Sequence, residues 1–159
     1  MLTIENRLKR IEDRAALRDV LTAYCNAVDS LSDMDGLLNC FTEDAVLDLS
    51  GISLPRFDGH SEIRKFFTQV FHDMSHHAHY ATNFTVDKLD GGSATCRAAV
   101  LGTGATRDGR TVLVYVRYFL DFARTATGWK ISRFGETALM PLPKELTEIH
   151  ARDSSRGRS

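Results

Sequence analysis

Hydrophobic side chains recur at helical spacing through the first half of the chain. They fall every three or four residues over positions 4–28, which predicts one long helix with Thr3 as its N-cap. A short second helix is predicted to be capped by Ser32 or Asp33 and to carry Phe41. A third helix is the most clearly amphipathic, because its apolar positions share one face: Ile63, Phe66, Phe67, Val70, Phe71 and Met74.

The hydrophobic pattern changes from helical to alternating after the third helix. A short strand over residues 45–49 precedes that helix, and four longer strands are predicted after it: 78–89, 93–105, 111–124 and 128–138. The connections Asp90-Gly91-Gly92, Asp108-Gly109 and Thr127-Gly128 are typical hairpin turns, so neighbouring strands are antiparallel. Helices followed by an antiparallel meander indicate an α+β domain, in which the helices cover one face of a curved sheet.

Size and charge restrict the class of protein. A chain of 159 residues with 43% hydrophobic residues fits one domain, predicted over residues 1–150, and the polar residues 151–159 are predicted to be disordered. A formal net charge of -1 without a basic stripe argues against nucleic-acid binding. No apolar run approaches the roughly 20 residues of a membrane-spanning helix, and no signal peptide is recognised, so a cytoplasmic location is expected.

The chain carries no complete motif for nucleophilic or phosphate chemistry. Cys25, Cys40 and Cys96 lie in apolar surroundings without a CxxC pair, which is typical of buried, reduced thiols. The segment Gly102-Thr103-Gly104 lies within a predicted strand and lacks the further glycines of a phosphate-binding loop.

The predicted strand over residues 111–124 is hydrophobic on both faces. Val112, Val114 and Val116 share one face, and Leu113 and Tyr115 lie on the other. Because the helices can cover only one face of the sheet, the second face predicts contact with another copy of the chain. A homodimer or homotrimer is therefore expected.

Two polar residues stand in apolar surroundings and suggest chemistry. Asp29 follows Val28 at the end of the first helix, and His79 lies in a predicted strand on the same face as Ala81 and Asn83. A carboxylate that orients a histidine would give a general base. The alternatives are a solvated or capping aspartate and a histidine that is merely a satisfied strand residue.

His72, His76, His77 and His79 are close in sequence and raise the question of a metal. His72 and His76 are four residues apart at a helix end, a spacing that imidazole ligands can use. No acid or cysteine at ligand spacing completes the set, and neighbouring His76 and His77 point in different directions. The sequence therefore predicts solvated loop histidines and no metal site.

Several segments together resemble a known family. They are Ile11-Glu12-Asp13-Arg14-Ala15-Ala16-Leu17-Arg18-Asp19, Tyr24 with Asp29, Phe41-Thr42-Glu43-Asp44-Ala45, Gly59 with Ile63, and the closing Gly128-Trp129-Lys130-Ile131. Their order over residues 5–140 resembles the SnoaL-like branch of the nuclear-transport-factor-2-like superfamily. The resemblance implies a cone-shaped α+β barrel, with a curved antiparallel or mixed sheet around an apolar pocket, in dimers or trimers.

The resemblance also implies roles for individual residues. Hexachlorocyclohexane dehydrochlorinase, scytalone dehydratase and bile acid dehydratase of this branch use an Asp-His pair, and Asp29 and His79 match its two positions. Tyr24 matches a tyrosine of the bile acid dehydratase and would donate a hydrogen bond to substrate. The pocket walls implied by position and apolar setting are Val20, Phe41, Val46, Phe67, Asn83, Tyr118 and Phe134.

The chain also departs from those enzymes. The dehydrochlorinase has a lysine at the position of Tyr24, and the strand around Cys96 lacks the second histidine or aspartate of the two dehydratases. The expected function is a cofactor-independent lyase or isomerase acting on a small hydrophobic, polycyclic or aromatic molecule. A polyketide-cyclase-like enzyme and a non-catalytic ligand-binding or assembly module are the alternatives.

Overall fold

The computed structural model describes residues 2–150 and contains four α-helices, one short 3-10 helix and six strands in that range. Their bounds are α1 Ile4–Ser30, α2 Met34–Asn39, β1 Phe41–Asp48, the 3-10 helix Ser50–Ile52, β2 Arg56–Asp58, α3 Gly59–Asp73, β3 Met74–Leu89, β4 Ser93–Thr106, β5 Thr111–Thr125, β6 Gly128–Ala138 and α4 Lys144–His150. Residues 151–159, for which disorder is predicted, lie outside the described range.

The six strands form one curved mixed sheet in the order β2-β1-β6-β5-β4-β3. All neighbours are antiparallel except β1 and β6, which are parallel, because the chain between them contains α3 and the whole meander. The sheet is open at β2 and β3, so it forms an incomplete cone and not a closed barrel. This architecture confirms the predicted α+β class.

Local sequence signals explain most element boundaries. The hydroxyl of Thr3 accepts a hydrogen bond from the backbone N–H of Asn6, and the carboxylate of Asp33 accepts one from Gly36, so both predicted caps form. The three predicted hairpin turns connect β3 to β4, β4 to β5 and β5 to β6. Gly109 and Gly128 adopt φ angles of 90° and 115° in the second and third of these turns. The four long predicted strands therefore agree with β3–β6 to within a few residues.

Some elements differ from the prediction because long-range pairing decides them. Phe41 opens β1 and does not belong to the second helix, since it pairs with Ile131 on β6, ninety residues away along the chain. Met74 similarly opens β3 and does not end α3. Neither β2 nor α4 was expected, because three residues of strand and one short helix leave little periodic signal.

The hydrophobic core fills the space between the helices and one face of the sheet. Leu17, Leu21 and Val28 of α1 and Ile63 of α3 are buried in one core together with Phe134 of β6, which is completely enclosed. The first half of α1 is different, because its apolar residues Leu8 and Ile11 remain exposed. The predicted apolar face of α1 is therefore covered only over its second half.

One buried acid ties α1 to the end of the sheet. Asp13 is 8% exposed and accepts hydrogen bonds from the guanidinium of Arg124 on β5 and from the indole N–H of Trp129 on β6. Arg124 also stacks on the Trp129 ring at 4.2 Å. Burial alone would raise the pKa of Asp13, but the hydrogen bonds from Arg124, Trp129 and Lys9 lower it below its usual value. The carboxylate therefore stays charged and anchors the helix.

No helix within residues 2–150 combines the length and the apolar character needed to cross a membrane.

Candidate active site

Asp29 and His79 meet at the junction of α1 and β3. Nδ1–H of His79 donates to Oδ1 of Asp29 at 2.6 Å, and the backbone N–H of His79 donates to Oδ2 at 2.9 Å. A carboxylate can only accept these bonds, so the ring carries a proton on Nδ1, and in the neutral imidazole Nε2 is the nitrogen that can act as a base. The side chain of Asp29 is 25% exposed and that of His79 is 13% exposed, so the pair lies at the edge of the protein interior.

The same contacts fix the charge of Asp29. Burial raises the pKa of its carboxyl, but the hydrogen bonds from the ring and backbone of His79 outweigh burial and lower the pKa below its ordinary value. Both oxygens are held by one residue, so the carboxylate can neither rotate nor leave without breaking two bonds. Asp29 is thus a fixed, ionised partner for the imidazole.

Two glycines on β4 make room for two histidines on β3. Gly102 pairs with His79 and Gly104 pairs with His77. A Cβ atom on Gly102 would lie 3.4 Å from Nε2 of His79, and one on Gly104 would lie 2.8 Å from the His77 ring. These glycines therefore leave room for the two imidazoles beside β4. This packing gives a structural reason for the segment Gly102-Thr103-Gly104, which does not fit a phosphate-binding loop.

A methyl group at Gly102 should disturb the base without unfolding the protein. Gly102→Ala places Cβ 3.2 Å from the Val114 side chain, which must move by a few tenths of an ångström. The same methyl group lies 3.4 Å from Nε2 of His79, where it crowds the base. We expect turnover to fall by about tenfold or more, while the melting temperature changes little. Gly92→Ala is the control, because nothing lies within 4 Å of its Cβ position. Unchanged turnover in Gly102→Ala would place Nε2 outside the reacting geometry.

His79 faces a predominantly apolar cavity between the helices and the sheet. The space that water-sized molecules can enter in this cavity is about 80 Å³, so the cavity is narrow. Leu146 and His150 of α4 also line it, so this short helix covers part of the cavity. The polar groups on its wall are those of Tyr24, His77, His79, Thr103, Tyr118, Glu136 and His150.

Two tyrosines present hydroxyl groups to this cavity. Tyr24 of α1 and Tyr118 of β5 are 4% and 3% exposed, and their ring centres are 6.3 Å apart. Burial raises the pKa of both phenols well above its usual value, and the nearby Glu136 acts in the same direction. Both hydroxyls therefore remain protonated and can donate a hydrogen bond to a bound molecule.

The predicted wall residues fall into two groups. Phe67 and Tyr118 line the cavity. Phe41 and Phe134 do not line it, since both are 0% exposed and pack behind the Tyr24 ring, at 5.8 and 5.2 Å between ring centres. Val20 packs against the core from α1, and Val46 is half-buried on β1, both away from the cavity wall.

Asn83 is also displaced from the predicted wall. Strand alternation would place it beside His79 and Ala81, but the register of β3 on β4 shifts between Thr82 and Thr85. Asn83 adopts a left-handed φ of 53° at this bulge and is exposed. The bulge therefore turns its side chain away from the cavity.

His77 is not the solvated loop residue that the sequence predicts. It lies on β3, its ring centre is 5.0 Å from that of His79, and it lines the cavity. Burial first, and then the neighbouring His79, lower the pKa of His77 to about 4, so its ring is neutral at pH 7. Its buried Nδ1 has no hydrogen-bond partner within residues 2–150. His72 and His76, in contrast, are exposed as predicted.

Asp29, His77 and His79 are also the residues that could hold a metal ion. Each offers a ligand atom, and these atoms lie within 4.8 Å of one another. A metal held by Asp29 and Nδ1 of His79 would have to replace the hydrogen bond between them. The expectation of a metal-independent site stays a prediction.

Glu136 is a cavity residue that the sequence reasoning missed. It follows Phe134 by two positions on β6, so both share the inner face of the strand. The available sequence signal was an acidic residue on the same strand face as Phe134.

The three cysteines match their prediction, because all are buried, free thiols, and burial raises the pKa of Cys25 to about 12.

The fold is an incomplete α+β cone, and an Asp-His pair stands beside its cavity. The chain belongs to the family of SnoaL-like domains, whose family model matches residues 9–135, within the nuclear-transport-factor-2-like superfamily.

Three proteins similar to this chain serve for comparison. A candidate aromatic ring hydroxylase from Novosphingobium aromaticivorans is 54% identical, with a TM-score of 0.82 over 84% of this chain and 93% of that one. The uncharacterized Mycobacterium tuberculosis protein Rv2910c is 32% identical over 80% of this chain and 86% of its own length. Hexachlorocyclohexane dehydrochlorinase LinA-type3 from Novosphingobium barchaimii shares the fold at 20% identity, with a TM-score of 0.73 over 84% and 91% of the two chains.

Proposed function

We propose that this protein is a cofactor-independent lyase that removes a proton from carbon in a small hydrophobic molecule and expels a neighbouring group. The observation that carries the proposal is the double hydrogen bond from His79 to Asp29 at the wall of an apolar cavity. The arrangement has the parts of a general base: a free ring nitrogen, a fixed tautomer and a charged partner.

His79 would act as the base in this reaction. Its free Nε2 faces the cavity beside Gly102 and takes the proton from carbon. The imidazolium that forms is stabilised by the ionised carboxylate of Asp29, which already bonds Nδ1–H. Because the cavity is largely apolar, this ion pair is worth more there than in water.

Tyr24 would polarise the substrate. Its protonated hydroxyl faces the cavity and can donate to a carbonyl oxygen, which makes the neighbouring carbon more acidic. Loss of water or halide from the next carbon completes an elimination. Return of the proton at another carbon would give an isomerisation, and attack on a second carbonyl would give a polyketide-cyclase-like ring closure.

A substrate panel in D₂O tests the proposal. Purified protein, dialysed against EDTA, is incubated with 3-hydroxy-1-indanone, 3-chloro-1-indanone and matched phenolic and alicyclic ketones, and products are followed by NMR. We expect deuterium incorporation next to the carbonyl and formation of the alkene, and we expect EDTA to have no effect. Saturable binding with neither exchange nor turnover would support the alternative, a non-catalytic ligand-binding module.

We also propose that the outer face of the sheet joins copies of the chain into a homodimer or homotrimer. Tyr80, Leu113, Tyr115 and Phe119 are 61, 46, 44 and 46% exposed on the face away from the helices. Tyr80 lies on β3 and the other three residues lie on β5, on either side of β4, and together they form an apolar surface that a monomer would leave in water. This arrangement is typical of a subunit interface.

Light scattering after size-exclusion chromatography tests this interface. The double variant Leu113→Glu with Phe119→Glu should elute as a monomer, because a charge on each copy opposes association. Leu8→Glu is the control, since Leu8 is an exposed apolar residue of α1 away from the sheet. A monomeric wild type, or dissociation by Leu8→Glu alone, would contradict the assignment to the sheet face.

A further inference from the structure

Glu136 is held firmly at the wall of the cavity. Its backbone pairs with Tyr118 in the β5–β6 ladder, and the 3-10 helix packs closely against its carbonyl oxygen. A Cβ atom on Gly51 would come within 2.0 Å of that oxygen, so only glycine fits there. The position of Glu136 is therefore fixed from two sides, and its side chain extends into the cavity.

The carboxyl group of Glu136 has no protein partner. Within residues 2–150 it forms neither a hydrogen bond nor an ion pair. The cavity wall contains no lysine or arginine in the described range. Glu136 is half-buried, and it lines the cavity. An acid that is withdrawn from water without a partner is costly in its charged form.

The titratable groups around Glu136 do not supply a positive charge. Tyr24 of α1 and Tyr118 of β5 stay protonated and neutral. His77 of β3 and His150 of α4 have pKa values lowered by burial. Asp29 lies behind His79 and is ionised, and α3 and the 3-10 helix contribute only apolar side chains to the wall: Phe66, Phe67, Val70 and Ile52.

No cation or hydrogen-bond donor among the described residues therefore offsets the desolvation of the Glu136 carboxyl group. Burial raises the pKa of Glu136 to about 8, so the group is mostly a neutral carboxylic acid at pH 7. The cavity wall therefore carries both a candidate base, His79, and a carboxylic acid, Glu136.

We propose that Glu136 is the catalytic acid that protonates the departing oxygen, and that the substrates are uncharged, hydroxylated ring compounds that lose water. This inference rests on the proposed lyase function. A hydroxyl group is a poor leaving group until it is protonated, whereas a halide leaves without a proton. A positioned acid is therefore needed for the loss of a hydroxyl group but not for the loss of a halide.

The step balances with residues of this chain alone. Nε2 of His79 takes the proton from carbon, and the C–H electron pair becomes the new C=C bond. The C–O bond breaks, its electron pair stays on oxygen, and that oxygen takes the proton of Glu136 and leaves as water. His79 is then protonated and Glu136 is a carboxylate, and proton exchange with solvent at the cavity opening restores both.

The first test needs no substrate. Protein labelled with ¹³C at the glutamate side-chain carboxyl carbons is titrated by NMR. One carboxyl, absent from Glu136→Gln, should titrate near pH 8, far from the ordinary glutamate value of about 4.3. A Glu136 signal that titrates near its ordinary value would overturn the proposal, because the group would then be charged at neutral pH.

The second test separates Glu136 from the proposed base. Glu136→Gln keeps the size of the side chain but cannot transfer a proton. With 3-hydroxy-1-indanone we expect water loss to slow by about 10²–10⁴-fold, while deuterium exchange at carbon and chloride loss from 3-chloro-1-indanone change by less than about tenfold. The wild-type rate of water loss should fall above about pH 8, and the variant should lack this decline.

The outcomes of the second test are distinct. Equal loss of exchange, chloride elimination and water elimination in a folded Glu136→Gln protein would show a structural role and contradict the proposal, as would an unchanged rate of water loss. If the wild type catalyses neither deuterium exchange nor elimination with either indanone, the proposed lyase function is wrong, whatever the Glu136 titration shows.

Discussion

Asp29→Asn is expected to lower the rate of proton abstraction by about 10²–10⁴-fold while the protein stays folded. The amide matches the carboxylate in shape, but it carries no charge to stabilise the imidazolium. Its NH₂ group can also turn toward Nδ1 and favour the tautomer with the proton on Nε2. In that tautomer the nitrogen facing the cavity is no longer a base. The measurement is kcat on any substrate that the wild type turns over.

A measurement independent of substrate accompanies this prediction. The ¹⁵N chemical shifts of the His79 ring, recorded at high pH where imidazole is neutral, report which nitrogen carries the proton. We expect Nδ1–H in the wild type and a shift toward Nε2–H in Asp29→Asn. Asp19→Asn is the matched control, because Asp19 is an exposed residue of the same helix. Identical His79 spectra in wild type and Asp29→Asn would show that the pair does not set the tautomer.

Phe134→Ala is expected to lower the free energy of unfolding by about 3–5 kcal/mol. Phe134 is 0% exposed, and its ring lies 5.2 Å from that of Tyr24 and 4.6 Å from that of Tyr118. Removing it leaves a void behind both tyrosines, since the surrounding strands and α1 can close only part of the space. Urea denaturation measures the change directly.

Phe134→Leu is the matched comparison. Leucine fills most of the same space, so a loss closer to about 1 kcal/mol is expected. The contrast also tests where Phe134 acts. If Phe134→Ala changed ligand affinity with little loss of stability, the residue would line the cavity, as the resemblance implies, and would not support the tyrosines from behind.

The site illustrates how far single residues can be predicted. Asp29 and His79 stand out in the sequence because each is polar within an apolar pattern. His79 lines the cavity, and Asp29 is bonded to it. His77 and Glu136 carry the same kind of signal, an ionisable residue beside core positions of a strand, but neither was selected. Their significance depends on what faces them: Gly104 for His77, and an apolar wall without a cation for Glu136.

For Asn83 and Phe41, the local sequence pattern predicts a position that the structure does not show. Alternation predicts the face of Asn83 only while the strand is regular, and one bulge in the pairing of β3 with β4 reverses it. Phe41 follows a helix and could extend it, but the parallel pairing of β1 with β6 makes it a strand residue. In both cases the deciding contact is with a strand that is distant along the chain.

By itself, the sequence determined the helices with clear periodicity, the cap at Thr3, a second cap at Ser32 or Asp33, the glycine turns and the α+β class, because these depend on interactions between residues close along the chain. The tertiary structure decided which ionisable groups share a cavity, which of them are neutral there, and which aromatic rings lie behind others. Those properties depend on desolvation and on the packing of distant strands, and neither is encoded in any local pattern.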